Sequence, residues 1–120
     1  MEIKQYWEDV IRQNKESLKQ YFLDPAIIRW HNTNEQFTVD EFLQANCDYP
    51  GVWFGEIIRI DYIEENIITV VRIWTSKISF HVTSFFTMES NKIKTIDEYW
   101  GEDGPAPEWR LEKNIGEPIK

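Results

Sequence analysis

Among the residues of this 120-residue chain that carry chemistry, one combination makes an acid/base pair: His81 with Glu98. A histidine titrates near neutrality, and a carboxylate within reach orients its ring and raises its pKa. The same pair serves equally to keep a polar pocket wall hydrogen-bonded. Arg72, with Arg59 beside it in the pattern, presents a planar fork of donors. Such a fork suits a ligand carboxylate or phenolate, or a salt bridge to Glu98 or Asp61. Tyr6 can donate a hydrogen bond from a helix, or simply pack with its hydroxyl at a rim. Trp30, Trp74 and Trp100 offer flat aromatic surface to a planar hydrophobic ligand; a plain aromatic core is the competing use. His31 follows Trp30 directly, so on a strand it points to the other side.

Other chemistries lack their residues. Two histidines and one cysteine show no metal-ligand spacing. Glu64-Glu65 and Glu102-Asp103 are acidic turns without the alternating oxygen ligands of a calcium loop. The five glycines are scattered, so no phosphate-cradling loop forms. Neither a metal nor another cofactor is expected. Cys47 reads as a small buried residue and leaves no partner for an internal disulfide, which fits a reducing cytoplasm. A net charge of −8, with no cluster of Lys and Arg, speaks against a nucleic-acid partner. No apolar run is long enough to span a membrane, and no export signal is visible at the N-terminus. With 42% hydrophobic and 15% aromatic residues the chain has the makings of a packed core. Six tryptophans exceed what a small core needs, which points to an apolar pocket or a dimer face.

Those residues need elements to hold them. Ile3, Trp7, Val10, Ile11, Leu18 and Phe22 recur at three- and four-residue steps, predicting one helix over 2–23 that ends at Asp24-Pro25. A short strand over 26–32 follows. Thr38 and Glu41 then form a capping box, with Phe37 and Phe42 placed as its hydrophobic staple, for a helix running to about Cys47. From Trp53 to Trp100 the composition turns to Ile, Val, Thr, Phe and Tyr, predicting four antiparallel strands with turns at 65–66, 76–77 and 90–91. This is an α+β domain with helices on one face of a curved sheet.

Two-residue turns set the pairing. Arg72 then lies opposite His81, His81 opposite Trp100, and Thr83 opposite Glu98, with His81 and Glu98 diagonal neighbours roughly 5–8 Å apart. One face collects Ile58, Ile60, Tyr62, Val71, Ile73, Phe80, Val82, Phe86 and Tyr99. The other collects Arg59, Arg72, Trp74, His81, Thr83, Phe85, Ile96, Glu98 and Trp100. Either the apolar face is the core and the mixed face meets solvent, or the mixed face lines a cavity and the apolar face meets a second subunit. A one-residue slip would exchange the sets.

The stretches "YWEDVIRQN", "AIIRWHNTNEQFT", "DEFLQANCDYPGVW" and "KIKTIDEYWGEDGPAPEWR", in this order and spacing, resemble the nuclear transport factor 2-like superfamily in its bacterial SnoaL-like branch. The resemblance covers residues 1–110 as one domain, leaving 111–120 as a polar tail. It implies a cone: a curved antiparallel sheet wrapped around a long N-terminal helix, with a shorter second helix and a pocket at the wide end. It also implies a homodimer through the outer sheet face, and it favours the cavity reading of the mixed face. Ketosteroid isomerases share the fold and carry a tyrosine on the first helix and aspartates on two strands. Tyr6 matches the tyrosine, but the general-base position falls on Trp30 and the second aspartate position on Thr83. A tryptophan accepts no proton, so that isomerase chemistry is rejected.

The expectation is a small, largely apolar organic ligand held by Tyr6, Trp30, Arg72, Trp74, Thr83 and Trp100. Cofactor-free isomerisation, dehydration or cyclisation would rest on His81 and Glu98. The alternative is a non-catalytic ligand-binding or dimerisation module with a vestigial or filled pocket. Beyond the last strand, "GEDGPAPEWR" reads as a stiff acidic loop that leaves Trp109 free to dock over the cone mouth or on a partner.

Overall fold

A computed structural model describes residues 1–120. In chain order the elements are helices α1 (Ile3–Ile11) and α2 (Lys15–Lys19), strands β1 (Phe22–Trp30) and β2 (Glu35–Thr38), and helix α3 (Val39–Cys47). Strands β3 (Phe54–Ile63), β4 (Asn66–Trp74), β5 (Ser79–Glu89) and β6 (Lys92–Glu102) follow, and then a short helix α4 (Glu108–Glu112). The six strands form one sheet in the order β2-β1-β6-β5-β4-β3. Only the β1–β6 pair is parallel. The α+β class and the curved sheet over an N-terminal helix are as expected. No helix is long and apolar enough to cross a membrane.

The single helix expected over 2–23 is two helices. Gln13 adopts a left-handed conformation, φ 58°. Its side-chain amide donates to the carbonyls of Asn46 (2.9 Å) and Tyr49 (2.7 Å), which tie the end of α1 to the end of α3. Asn14 donates from its backbone N–H to the Asp9 carbonyl and from its side chain to Asp9 Oδ1, both at 2.9 Å. The apolar spacing runs on across this break, so periodicity alone does not reveal it. Asp24-Pro25 stops no helix either. It lies inside β1, where the register against β6 shifts between Phe22 and Ile27, so the missing proline N–H interrupts no regular ladder.

The strand expected over 26–32 is present as the end of β1, which starts earlier, at Phe22, and it pairs with a further strand, β2, in a hairpin turned with Asn34 at φ 55°. At α3 the capping box is present in full. Thr38 N–H donates to Glu41 Oε1 (2.9 Å) and Glu41 N–H to Thr38 Oγ1 (3.3 Å). Phe37 and Phe42 both set their rings edge-on to Trp30, at 4.7 and 6.3 Å.

Ile3, Tyr6, Trp7 and Val10 of α1 are buried on the concave side of the sheet, each worth about 1.5–3 kcal/mol of apolar burial. The Trp7 indole donates to Thr69 Oγ1 (3.1 Å), which fixes the rotation of α1 over β4. At Gly55 a Cβ would fall 2.3 Å from Ile11 Cδ1, so only glycine lets α1 lie this close to β3.

Register decides which residues reach that concave side. β4 and β5 pair as expected, Arg72 opposite His81. The β3–β4 turn sits one residue earlier than expected, at Glu64-Glu65. That leaves the faces unchanged until Ile58, which bulges out and is 48% exposed. The β5–β6 turn is at Ser90-Asn91, both with positive φ, as a two-residue hairpin turn requires. Beyond it the expected register fails. Lys94 is left without a partner between Thr95 and Ile93, and from there Ser84, not Thr83, faces Glu98. This one-residue bulge rotates Ile96, Glu98 and Trp100 onto the face of Phe80, Val82 and Phe86. The core is therefore the apolar set joined by those three residues but without Tyr99, which turns to the convex side, and without Ile58 and Tyr62, which are exposed. Arg72, Trp74, His81, Thr83 and Phe85 lie on the convex side, and the mixed-face cavity is corrected.

Candidate ligand-binding site

Between α1, α3 and the concave side of the sheet lies a half-open cavity of about 250 Å³, the room of roughly eight water molecules. Tyr6, Trp7 and Phe42, all nearly fully buried, belong to its deep end. Trp30, Trp53, Phe80 and Trp100 continue the wall, and Tyr49, half exposed, stands at the rim. The rings lean on one another. Trp53 and Phe80 are 6.4 Å apart at 29°, and Phe80 and Trp100 are 5.4 Å apart and perpendicular. Gln13 and Asn46, which join the two helices, are the polar residues of the lining besides Glu98 and the tyrosines.

Glu98 is the only side chain on this wall that carries a charge when ionised at neutral pH, and it is 6% exposed. Its Oε1 accepts from the Trp30 indole (3.0 Å) and its Oε2 from the Ser84 hydroxyl. Burial pushes its pKa above the ordinary 4.5, while the bonds from Ser84 and Trp30 pull the other way. The Tyr6 phenol is raised well above 10.0, first by burial and then by the Glu98 charge. No protein hydrogen bond engages its hydroxyl, which is thus available at the cavity wall.

Of the residues expected in a site, the fold brings Tyr6, Trp30, Glu98 and Trp100 together on this cavity. Arg72, Trp74, His81 and Thr83 are on the opposite side of the sheet. The His81–Glu98 pair is therefore not formed. His81 instead meets Asp103 through Nδ1, with Ser79 on the other carboxylate oxygen. Arg72 reaches Asp103 at 3.4 Å and lies 4.5 Å over the Trp74 ring. Burial raises the Asp103 pKa, but the hydrogen bonds from Ser79, His81 and Arg72 and the charge of His81 outweigh it, leaving it lowered. Asp103 itself follows β6 directly, and Trp109 in α4 is 56% exposed, away from the cavity lining.

Several contributors escape sequence reasoning, Trp7, Phe42 and Tyr49 among them. Ser84 is hidden by the Lys94 bulge, Phe80 belongs to the apolar set assigned to the other face, and Trp53 carries no signal beyond its size. His31 lies outside the cavity, where its Nε2 meets Asp97 at 2.8 Å and its ring stacks on Tyr99 at 4.4 Å.

No protein-family model matches the chain, and no curated protein does. Solved structures do. A provisionally assigned ketosteroid isomerase from Kribbella flavida DSM 17836 superposes with a TM-score of 0.82 at 16% identity, over 98% of this chain and 87% of that one. An NTF-2 like protein of unknown function from Burkholderia xenovorans LB400 gives 0.80 at 18% identity, over 98% and 92%. A protein with a ketosteroid isomerase-like fold from Catenulispora acidiphila DSM 44928, solved with trimethylamine, gives 0.69 at 10% identity, over 82% and 84%.

Proposed function

From a chain with the nuclear transport factor 2-like fold, we propose a protein that binds a small, largely apolar organic molecule in its cone pocket and anchors it at Glu98. One observation carries this reading: a buried carboxyl on the wall of an otherwise aromatic, half-open cavity. Apolar walls with one or two fixed polar groups are what a ligand site needs for affinity and orientation. The free Tyr6 hydroxyl supports a catalytic version of the same site. Glu98 would take or return a proton, and Tyr6 would donate to an oxygen that gains negative charge. An isomerisation, dehydration or cyclisation without a cofactor fits those two groups. A purely structural module with a filled cone is disfavoured by the open volume.

The test is a thermal-shift screen of small apolar compounds against the wild type, Glu98→Gln and His81→Ala. A compound that stabilises the wild type and His81→Ala, but not Glu98→Gln, supports the reading. A compound lost in His81→Ala and kept in Glu98→Gln overturns it.

The convex sheet face, where Phe85 and Tyr99 are 41% and 48% exposed, is the surface proposed for a homodimer. Sedimentation of the wild type beside Thr83→Arg tests this; a wild type that stays monomeric at high concentration would refute it. The lone Cys47 supports a cytoplasmic setting.

A further inference from the structure

The cavity holds an anion site with no cation. Its lining contains no Lys, Arg or His. The basic residues that follow the lining positions of α1, Arg12 and Lys15, are turned to the surface and paired with Glu8 and Asp48. Both oxygens of Glu98 already accept a hydrogen bond, each from a neutral donor. What the carboxylate lacks is positive charge, not another donor. On the same cavity wall stand Tyr6, Trp30, Phe80 and Trp100, and an aromatic face attracts a cation through its quadrupole. We propose that the ligand class of this pocket is a compact organic ammonium ion, held by the Glu98 carboxylate and by the faces of the surrounding aromatic rings. The proposal rests on the ligand-binding reading above and narrows it.

An ammonium whose nitrogen is wrapped in alkyl groups matches each feature. It brings apolar surface for the walls, needs no hydrogen-bond acceptor, and spreads its charge toward several rings. A cavity of about 250 Å³ limits it to a small molecule. A large anionic ligand would find no cation here.

Binding must then be coupled to the ionisation of Glu98. The groups facing it from its neighbours are Tyr6 on α1, Trp30 on β1 and Ser84 on β5, all neutral near pH 7. Phe42 faces the cavity from α3, and Cys47 at the end of that helix is neutral too, its pKa raised chiefly by burial. Arg29 and Asp97 pair with each other beside His31, and His81 pairs with Asp103, all on the other side of the sheet. With nothing else in the cavity to titrate, an incoming cation favours the carboxylate and displaces its proton to solvent.

Choline and 3,3-dimethylbutan-1-ol test this directly, being the same shape with and without the positive charge. Affinities are read by NMR titration, following the Trp30 indole N–H, from about pH 5 to about pH 8. The expected result is that choline binds about tenfold tighter than the alcohol at the upper pH. Its affinity falls as the pH is lowered through the Glu98 titration, while that of the alcohol stays flat. Glu98→Gln is expected to erase the difference. If the alcohol binds as well as choline, or choline binding ignores pH, the ammonium assignment fails and the ligand-binding reading stands. If neither probe binds, the ammonium assignment fails, and the ligand-binding reading is decided by the thermal-shift screen. The wild-type comparison needs no variant, so a poorly folded Glu98→Gln does not spare the proposal.

Discussion

Ser84 and Glu98 face each other across β5 and β6, and the Ser84 hydroxyl donates to Glu98 Oε2 on the inner wall of the cone. With the Trp30 indole on the other oxygen, this leaves a buried carboxyl satisfied by neutral donors alone. Burial disfavours the ionised form of such a group, and hydrogen bonding from its neighbours favours it.

The first prediction concerns stability against pH. The folded-state pKa of Glu98 is raised above 4.5, so the folded protein holds this proton more tightly than the unfolded chain does. Its contribution is fully present below 4.5 and is lost as the pH rises through the folded value. Urea denaturation across that window should show Glu98→Gln losing less stability with rising pH than the wild type. A parallel decline in both proteins would contradict the assignment.

Removing the Ser84 donor should move that window. The bond from Ser84 favours the ionised form, so Ser84→Ala is expected to raise the Glu98 pKa further. A hydrogen bond to a charged group is worth about 1.5–3 kcal/mol, so the upward shift should be readily resolved. Carboxyl-carbon NMR of Glu98 reads it, and an unchanged titration midpoint would exclude the role given to Ser84.

The approach of α1 to β3 depends on an absent side chain. Gly55→Ala places a Cβ against Ile11 Cδ1 and Cγ1, at 2.3 and 2.9 Å. A cost of about 1–3 kcal/mol is expected from this overpacking. Ile11→Val removes Cδ1, so the double variant should recover part of the loss in a double-mutant cycle. Simple additivity of the two changes would show that the contact is not the cause.

The joint between α1 and α2 is pinned by Tyr21, whose hydroxyl donates to Asp9 Oδ2 at 2.7 Å. Burial first, and then the bond and charge of Asp9, push the Tyr21 pKa up to about 12. The stabilisation is present below the unfolded value of 10.0 and is lost as the pH rises toward about 12. Tyr21→Phe should therefore cost about 1 kcal/mol or slightly more near neutral pH. It should also be less sensitive than the wild type to alkaline unfolding between those values. An unaltered alkaline transition would remove Tyr21 from the account.

Much of the fold was legible because its signals are local. Thr38 and Glu41 sit three residues apart, and no distant contact is needed for them to close a capping box. The positive-φ pair Ser90-Asn91 makes its turn from its own backbone preferences, and the β-rich composition from Trp53 onward marks the strands. The helix break at Gln13 was not legible, because it is held by carbonyls of Asn46 in α3 and of Tyr49 just beyond it. Neither was the place of Pro25 inside a strand, which depends on a shift against β6.

For the site, the sequence by itself determined the residue types: Tyr6, Trp30, Glu98 and Trp100 were all candidates before any coordinates. Only the tertiary structure decided which of their companions stand with them. Side chains alternate along a strand with a period of two, so one unpaired residue, Lys94, turns Glu98 from the side of His81 to the side of Ser84. Nothing in the alternation of "KIKTIDEYW" marks that bulge. It arises where β6 must pair with β5 on one edge and β1 on the other while curving around α1, a constraint that exists only once the sheet is assembled.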